Sequence, residues 1–319
     1  MTTLGRLEEA AEVVHRVVRP TPQICWPLLS ERCGCEVWVK HENHTPVGAF
    51  KVRGGLVYFD DLIGRGRGTS KVVLATRGNH GQSIAFAAQR HGVSCLAVVP
   101  HGNSREKNLA MSALGAQLVE HGDDFTAAFD HAAALADDEG LPMVPSFHPL
   151  LVRGVATYSL ELLRSTPDLE TVCVPIGLGS GICGMLAARD ALGVGTTVVG
   201  VVASAAPTYA LSFAAGRPVA AGIGETIADG VATGRPDPDA LESIRAGADR
   251  IVQVNESEIR AAMRHYFTDT HNVAEGAGAA GLAALLQEGP AKAGRRVGLV
   301  LSGGNVDREV FAETLSATS

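Results

Sequence analysis

The sequence has little positive charge, few aromatic residues and no long apolar run. Its 27 basic residues are outnumbered by 34 acidic residues, which gives a net charge of −7. This balance argues against nucleic acid or an anionic membrane as a partner, because both select a basic face. No apolar stretch reaches the length of a membrane span, and the acidic N-terminal segment lacks a signal-peptide core. We therefore expect a cytoplasmic location.

Cysteine is also scarce, with six residues in 319. Cys33 and Cys35 form a C-x-C pair, but no second cysteine or histidine pair stands at the spacing of a zinc site. Cys95 and Cys173 lie inside apolar runs that are typical of strands. The cysteines are therefore interpreted as free thiols in a reducing compartment.

Lysine is rarer still, since arginine carries most of the positive charge. The five lysines are Lys40, Lys51, Lys71, Lys107 and Lys292. Lys51 ends the otherwise uncharged stretch TPVGAFK. Taken alone, it is most simply a surface lysine whose stem lies on apolar neighbours. A desolvated lysine, in contrast, has a lowered pKa and becomes a nucleophile toward aldehydes.

Short apolar runs alternate with helical patterns along most of the chain. The predicted strands form two series, 71–75, 94–100, 117–120 and 141–145, and then 171–176, 197–203 and 297–302. Helices are predicted between them, and the Gly/Pro-rich stretch 216–238 is interpreted as a loop. Strand–helix alternation predicts an α/β fold of parallel sheets with helices on both faces. Two series indicate two lobes.

Two glycine-bearing turns follow predicted strands. TRGNHG (76–81) follows the strand 71–75, and VPIGLGSGICG (174–184) contains the end of the strand 171–176. Backbone N–H groups at a helix N-terminus attract anions, so the first turn suits a carboxylate and the second a phosphate. The first is alternatively a helix cap. The second is alternatively a dinucleotide site, although its spacing departs from G-x-G-x-x-G.

A third turn, LSGGN (301–305), follows the last predicted strand. Ser302 stands at the carboxyl end of that strand, where ligands of parallel sheets bind. Its hydroxyl is suited to a neutral heterocyclic nitrogen. The alternative is an ordinary turn without a ligand.

In this order along one chain, these features resemble fold type II pyridoxal 5′-phosphate (PLP) enzymes of the threonine/serine dehydratase and serine racemase group. The resemblance extends from about Arg19 to Asp307. It rests on RPTP (19–22), HENHTPVGAFKVRGG (41–55), RGNHGQ (77–82), VPIGLGSGICG (174–184), ETIADGV (225–231), EGAGAAGLAAL (275–285) and LSGGNVD (301–307). Arg77 and APTYALSFAAGRPV (206–219) are similar to the hydroxyectoine-utilisation dehydratases.

The resemblance implies that Lys51 holds PLP as a Schiff base and transfers the substrate's α-proton. It implies cofactor contacts from Phe50, Asn79, Gly177, Leu178, Gly179, Ser180, Gly181 and Ser302, and substrate contacts from Thr76, Arg77, Gly78, Asn79 and His80. It also implies a large PLP-binding domain over 1–47 and 152–319, a small domain over 48–151, and a homodimer. The implied reaction is β-elimination from threonine, serine or a hydroxyectoine-derived compound, giving a 2-oxo acid and ammonia.

Three departures from the group bear on the substrate and on metal binding. Arg77 replaces a usual serine or threonine, and arginine is a poor proton carrier, so racemisation is not expected. The segment 147–161 is shorter than in relatives. Residues 198–217 contain no Asp or Glu, so we expect no divalent cation there.

Other functions compatible with the sequence are PLP-dependent β-replacement of the cysteine-synthase type, a nucleotide-binding oxidoreductase, and a PLP-binding protein without catalysis. The oxidoreductase alternative leaves Lys51, Asn79 and Ser302 without a role.

Overall fold

Two separate β-sheets organise the chain. The computed structural model describes residues 2–317 except 65 and 67. The larger sheet contains β1 (Gln23–Cys25), β2 (Glu36–His41), β6 (Thr171–Pro175), β7 (Thr197–Ala203), β8 (Arg250–Val254) and β9 (Arg296–Leu301). The smaller sheet contains β3 (Lys71–Ala75), β4 (Ser94–Val99) and β5 (Ala116–Glu120).

Both sheets are parallel except at one edge. The larger sheet has the order β1-β2-β9-β6-β7-β8 and the smaller has the order β3-β4-β5. Only β1 runs antiparallel to its neighbour, β2, among the strands of the described residues. The two predicted series of strands thus form two sheets, and the α/β prediction is confirmed.

Helices cover both faces of each sheet. They are α1 (Leu4–His15), α2 (Pro27–Cys33), α3 (Val52–Gly64), α4 (Asn79–Arg90), α5 (Arg105–Ala113), α6 (Phe125–Glu139), α7 (Pro149–Ser165), α8 (Ser180–Leu192), α9 (Thr208–Ala215), α10 (Pro238–Gly247), α11 (Glu256–Thr270), α12 (Gly276–Glu288), α13 (Pro290–Ala293) and α14 (Arg308–Ser316). Side chains of α11 and α12 pack on one face of the larger sheet, and those of α7 and α8 pack on the other. The smaller sheet lies between α3 and α4 on one face and α6 on the other.

The predicted strand over 141–145 is wrong. This segment makes a single bridge to β3, between Met143 and Val73. Pro142 and Pro145 have no N–H group to donate, so the ladder does not continue. The predicted loop 216–238 is also interrupted by a 3₁₀ turn over Asp229–Val231.

Strand β2 was not predicted, because its sequence EVWVKH ends in polar residues. Lys40 and His41 are nevertheless buried. Lys40 Nζ lies 2.6 Å from a Glu161 carboxylate oxygen, and Trp26 Nε1 donates to His41 Nε2 at 2.9 Å. Since these partners come from elsewhere in the chain, the local pattern conceals a buried strand.

Candidate active site

A pocket opens at the carboxyl ends of β6 and β9, where ligands of open α/β sheets bind. It is lined by Phe50, Lys51, Asn79, Pro175, Gly177, Leu178, Gly179, Ser180, Gly181, Gly230, Val231, Glu275, Ala277 and Ser302. The structure therefore brings together every residue that the sequence assigned to the cofactor. They come from four separate stretches of chain.

Lys51 stands immediately before α3, on a segment that is attached to the end of β9. The Phe50 N–H group donates to the Ser302 carbonyl at 3.0 Å, and Ala49 forms a bridge with Gly303. Burial lowers the pKa of the Lys51 amine, although the nearby Glu275 and Asp229 carboxylates oppose this. A lowered pKa favours the neutral, nucleophilic amine.

The turn between β6 and α8 forms a cradle of backbone groups. A Cβ on Gly177 would lie 2.3 Å from the Gly230 carbonyl oxygen, and Gly179 has a φ of +103°. Only glycine fits both conditions. Among the described residues, no side-chain cap hydrogen bond is made at the N-terminus of α8, and its first residues line the pocket. The N–H groups there are suited to bind an anion.

Asn79, the first residue of α4, belongs to a chain of buried and half-buried polar groups. Its Nδ2 donates to Glu275 Oε1 at 2.6 Å, and Asn305 Nδ2 donates to Asn79 Oδ1 at 2.8 Å. Lys107 Nζ forms ion pairs with Asp229 at 2.6 Å and with Glu275 at 3.2 Å. Burial raises the pKa of the Glu275 carboxyl, while Lys107 opposes the rise. These contacts fix the orientation of the Asn79 amide, with Nδ2 toward Glu275 and Oδ1 toward Asn305.

Sequence reasoning gave no role to Glu275, Asp229, Lys107 or Asn305. Glu275 begins the motif EGAGAAGLAAL, Asp229 lies within ETIADGV, and Asn305 lies within LSGGNVD. The sequence did carry one signal for these residues, which is a carboxylate within a glycine- and alanine-rich motif. If such a carboxylate is buried, its charge needs a partner.

The predicted substrate loop lies beside the pocket, and of its residues only Asn79 lines it. Thr76 Oγ1 accepts the N–H groups of Gly78 and Gly81 at 3.0 and 2.9 Å, which shapes the loop. His80 is buried, and burial, with the nearby Lys51 charge, lowers the pKa of its ring to about 3. Arg77 is half-buried. Within the part of the chain that the structure describes, no carboxylate is paired with Arg77.

The pocket meets the chemical requirements of a phosphorylated aldehyde cofactor. A lysine with a lowered pKa suits the aldehyde, the cradle suits the phosphate, and Asn79 and Ser302 offer hydrogen bonds between them. The N-terminus of α8, where Gly179 makes no side-chain cap hydrogen bond, and the turn at Gly177, which packs too closely on Gly230 to admit a Cβ, leave backbone N–H groups for a phosphate, so PLP fits these residues. The fold and site thus define a PLP-dependent class of enzyme.

Comparison with known proteins agrees with this class. A family model described as "Pyridoxal-phosphate dependent enzyme" matches residues 14–303. The L-threonine ammonia-lyase of Thermotoga maritima is 35% identical over 308 residues, which are 96% of this chain and 76% of the relative. The L-threo-3-hydroxyaspartate ammonia-lyase of Saccharomyces cerevisiae is 30% identical over 316 residues, which are 98% and 96% of the two chains.

A solved crystal structure, that of a threonine deaminase from T.th., superposes with a TM-score of 0.89 at 32% identity. The match covers 96% of this chain and 99% of that one. This chain belongs to the PLP-dependent enzyme family, and it is a lyase of the threonine-dehydratase type that uses PLP. The resemblance drawn from the motifs is confirmed.

Some expectations remain predictions. These are the domain boundaries at 47/48 and 151/152, the roles of the individual site residues and the absence of a metal site.

No helix among the described residues is long and apolar enough to cross a membrane.

Proposed function

We propose that this chain is an ammonia-lyase that removes the β-hydroxyl group of a hydroxy amino acid, giving a 2-oxo acid and ammonia. The observation that carries the proposal is the placement of Lys51, Asn79, Ser302 and the glycine cradle around one pocket. The relatives named as ammonia-lyases of threonine and of L-threo-3-hydroxyaspartate support the same reaction.

In this proposal, Lys51 Nζ binds the cofactor and the N–H groups of 177–181 hold its phosphate. Ser302 hydrogen-bonds the pyridine nitrogen, Asn79 contacts the ring hydroxyl, and Phe50 packs beside the ring. When bound, PLP supplies an electron sink for the charge that develops at the substrate Cα. Lys51 Nζ would accept the substrate's α-proton. Its lowered pKa suits this role, since a neutral amine is required.

The substrate is expected to bind through its α-carboxylate to the loop over Thr76–His80, at the N-terminus of α4. Backbone N–H groups there attract an anion. We further propose that Arg77 selects substrates with a second carboxylate, such as 3-hydroxyaspartate. A half-buried guanidinium with no carboxylate partner among the described residues is suited to an anionic ligand. Threonine, serine and hydroxyectoine-derived compounds are the alternatives to be compared.

Two further parts of the proposal concern the state of the protein. We expect a homodimer in the cytoplasm, with a small-molecule amino acid as the ligand and no nucleic acid or membrane partner. The net charge of −7 supports the last point.

The test is a measurement of 2-oxo acid release by the PLP-loaded enzyme from L-threonine, L-serine, 3-hydroxyaspartate and hydroxyectoine derivatives. We compare the wild type with Arg77→Ser, and with Arg90→Ser as a matched loss of one arginine at the exposed C-terminal end of α4.

The expected result is preferred turnover of the diacid by the wild type and by Arg90→Ser, with a shift toward neutral amino acids in Arg77→Ser. Release of oxo acid from none of the compounds would contradict the proposed reaction. An unchanged preference in Arg77→Ser would refute the role of Arg77 alone. Formation of D-serine from L-serine would refute the expectation that the enzyme does not racemise.

A further inference from the structure

The backbone carbonyl of Lys51 has a side-chain partner to which the reaction assigns no role. Ser83 Oγ donates to this carbonyl at 2.6 Å. Ser83 lies in α4 and is fully buried, with 0% exposure. The same carbonyl accepts the Gly55 N–H group at 3.2 Å as the first turn of α3 forms. A carbonyl oxygen has two lone pairs and accepts both donors, and the contact gives the buried Ser83 hydroxyl its acceptor. It also ties α4 directly to the backbone of Lys51.

The hydroxyl has little freedom to leave this position. A Cβ built on Gly55 would lie 2.4 Å from Ser83 Oγ and 2.8 Å from the Ser83 carbonyl oxygen. Helices α3 and α4 therefore approach each other closely at this pair of residues. Such close packing holds Ser83 against Lys51, the residue that precedes α3.

The other side of Lys51 is held by the larger sheet. The Phe50 N–H group donates to the Ser302 carbonyl at 3.0 Å. The backbone of Lys51 is thus fixed between the end of β9 on one side and α4 on the other. Ser83 is the only side chain of α4, among the described residues, with a hydrogen bond to the Lys51 carbonyl.

Helix α4 also carries the polar groups that face the ligand. Asn79 is its first residue, and Ser83 follows four residues later, one turn further along the helix. The hydrogen bond from Ser83 therefore sets the distance between the Lys51 backbone and Asn79. A reacting group that is displaced by about 1 Å can lose on the order of 100-fold in rate.

We propose that Ser83 is a positioning residue, which holds the Lys51 amine in register with Asn79 and the substrate loop. This inference rests on the proposed role of Lys51 as the residue that binds PLP and transfers the proton. It adds that the Ser83 hydroxyl group couples the position of Lys51 to that of α4 and the substrate loop.

The test compares Ser83→Ala with Ser212→Ala in the PLP-loaded enzyme. Ser212 is a matched control, because it is also fully buried and its Oγ also donates to a backbone carbonyl, that of Thr208, at 2.7 Å in α9. Three quantities are measured: kcat and KM for oxo acid release, the PLP dissociation constant, and the pH at which the visible absorbance of the bound cofactor changes. Ser83→Cys, which restores a weak donor of similar size, tests rescue.

We expect Ser83→Ala to lower kcat about ten-fold with little change in KM, since proton transfer by the displaced Lys51 is slowed while substrate binding is kept. Its absorbance should also change at a different pH from that of the wild type, and Ser83→Cys should be intermediate. Ser212→Ala should match the wild type in all three quantities. Identical behaviour of Ser83→Ala and Ser212→Ala would overturn the proposal. The absorbance titration needs no substrate, so it judges Ser83 even if the proposed reaction fails.

Discussion

Replacement of Arg53 by methionine should destabilise the protein strongly, because this guanidinium is paired with two carboxylates and has 0% exposure. Arg53 Nε and Nη2 donate to Glu42 at 2.7 and 2.9 Å. Arg53 Nη1 and Nη2 donate to Glu161 at 2.6 and 3.0 Å. Charge-assisted pairs of this two-pronged kind are among the strongest hydrogen bonds in proteins.

The magnitude follows from what the substitution leaves behind. Glu42 also has 0% exposure, so without Arg53 its charge is buried with the Thr21 hydroxyl as its only donor among the residues that the structure describes. Glu161 keeps Lys40, whose Nζ lies at 2.6 Å. Removal of one partner from a buried ion pair costs about 3–5 kcal/mol, mostly because of the charge left unpaired. We expect Arg53→Met to lower the free energy of unfolding by this amount at pH 7.

The assay is urea denaturation at pH 7, followed by circular dichroism and by the fluorescence of the two tryptophans. The control is Arg16→Met, which breaks an exposed pair with Asp60 at 3.9 Å. An exposed pair of this kind contributes at most about 1 kcal/mol. If Arg53→Met costs less than about 1 kcal/mol, or no more than Arg16→Met, then the buried charges are relieved by water or by protonation and the reasoning is wrong.

Three further predictions concern the cofactor site and the response to acid. Lys51→Ala, with added PLP, should lack the visible absorbance of the wild type at about 410–420 nm, and persistence of that band would move the attachment site elsewhere. Gly177→Ala brings a Cβ to 2.3 Å from the Gly230 carbonyl. Overpacking of this kind costs about 1–3 kcal/mol, so the PLP dissociation constant from absorbance titration should rise at least about five-fold, and an unchanged value would count against the cradle. Although burial raises it, the charge and hydrogen bonds of Arg53 hold the pKa of the Glu161 carboxyl at about 2, below the ordinary 4.5. The stability that this pair contributes is therefore complete above pH 4.5 and is lost as the pH falls toward 2. In acid titrations of thermal stability, Glu161→Gln should flatten this part of the profile, and an identical slope would exclude Glu161 as its cause.

The cofactor end of the site was predictable because its parts are local. A strand followed by a glycine turn and a helix makes an anion cradle from backbone groups alone, as in 174–184. Ser302 follows its strand directly, so its position at the mouth of a parallel sheet depends only on that strand. The order of these motifs, through its resemblance to PLP enzymes, then led to the prediction that Lys51 is the reactive lysine, although its own surroundings in the sequence are ordinary.

Errors and omissions in the sequence-based prediction have two physical origins. The segment 141–145 has a strand-like composition, but its own prolines limit it to one bridge with β3, and this signal is local. Strand β2 has polar residues at its end, yet partners from α7 and from Trp26, which precedes α2, allow Lys40 and His41 to be buried there. In β2 the outcome therefore depends on hydrogen-bond partners that are distant along the chain.

The sequence by itself determined the α/β class, since periodicity and glycine turns are properties of short segments, and its ordered motifs implied the cofactor and the family through their resemblance to PLP enzymes. Only the tertiary structure decided which charges meet. Asn79 and Glu275 are 196 residues apart, and Arg53 and Glu161 are 108 apart, yet each pair is joined at 2.6 Å. Contacts over such separations are set by how helices and sheets pack, and a single sequence does not encode them as a local pattern. The same packing places Ser83 against Lys51.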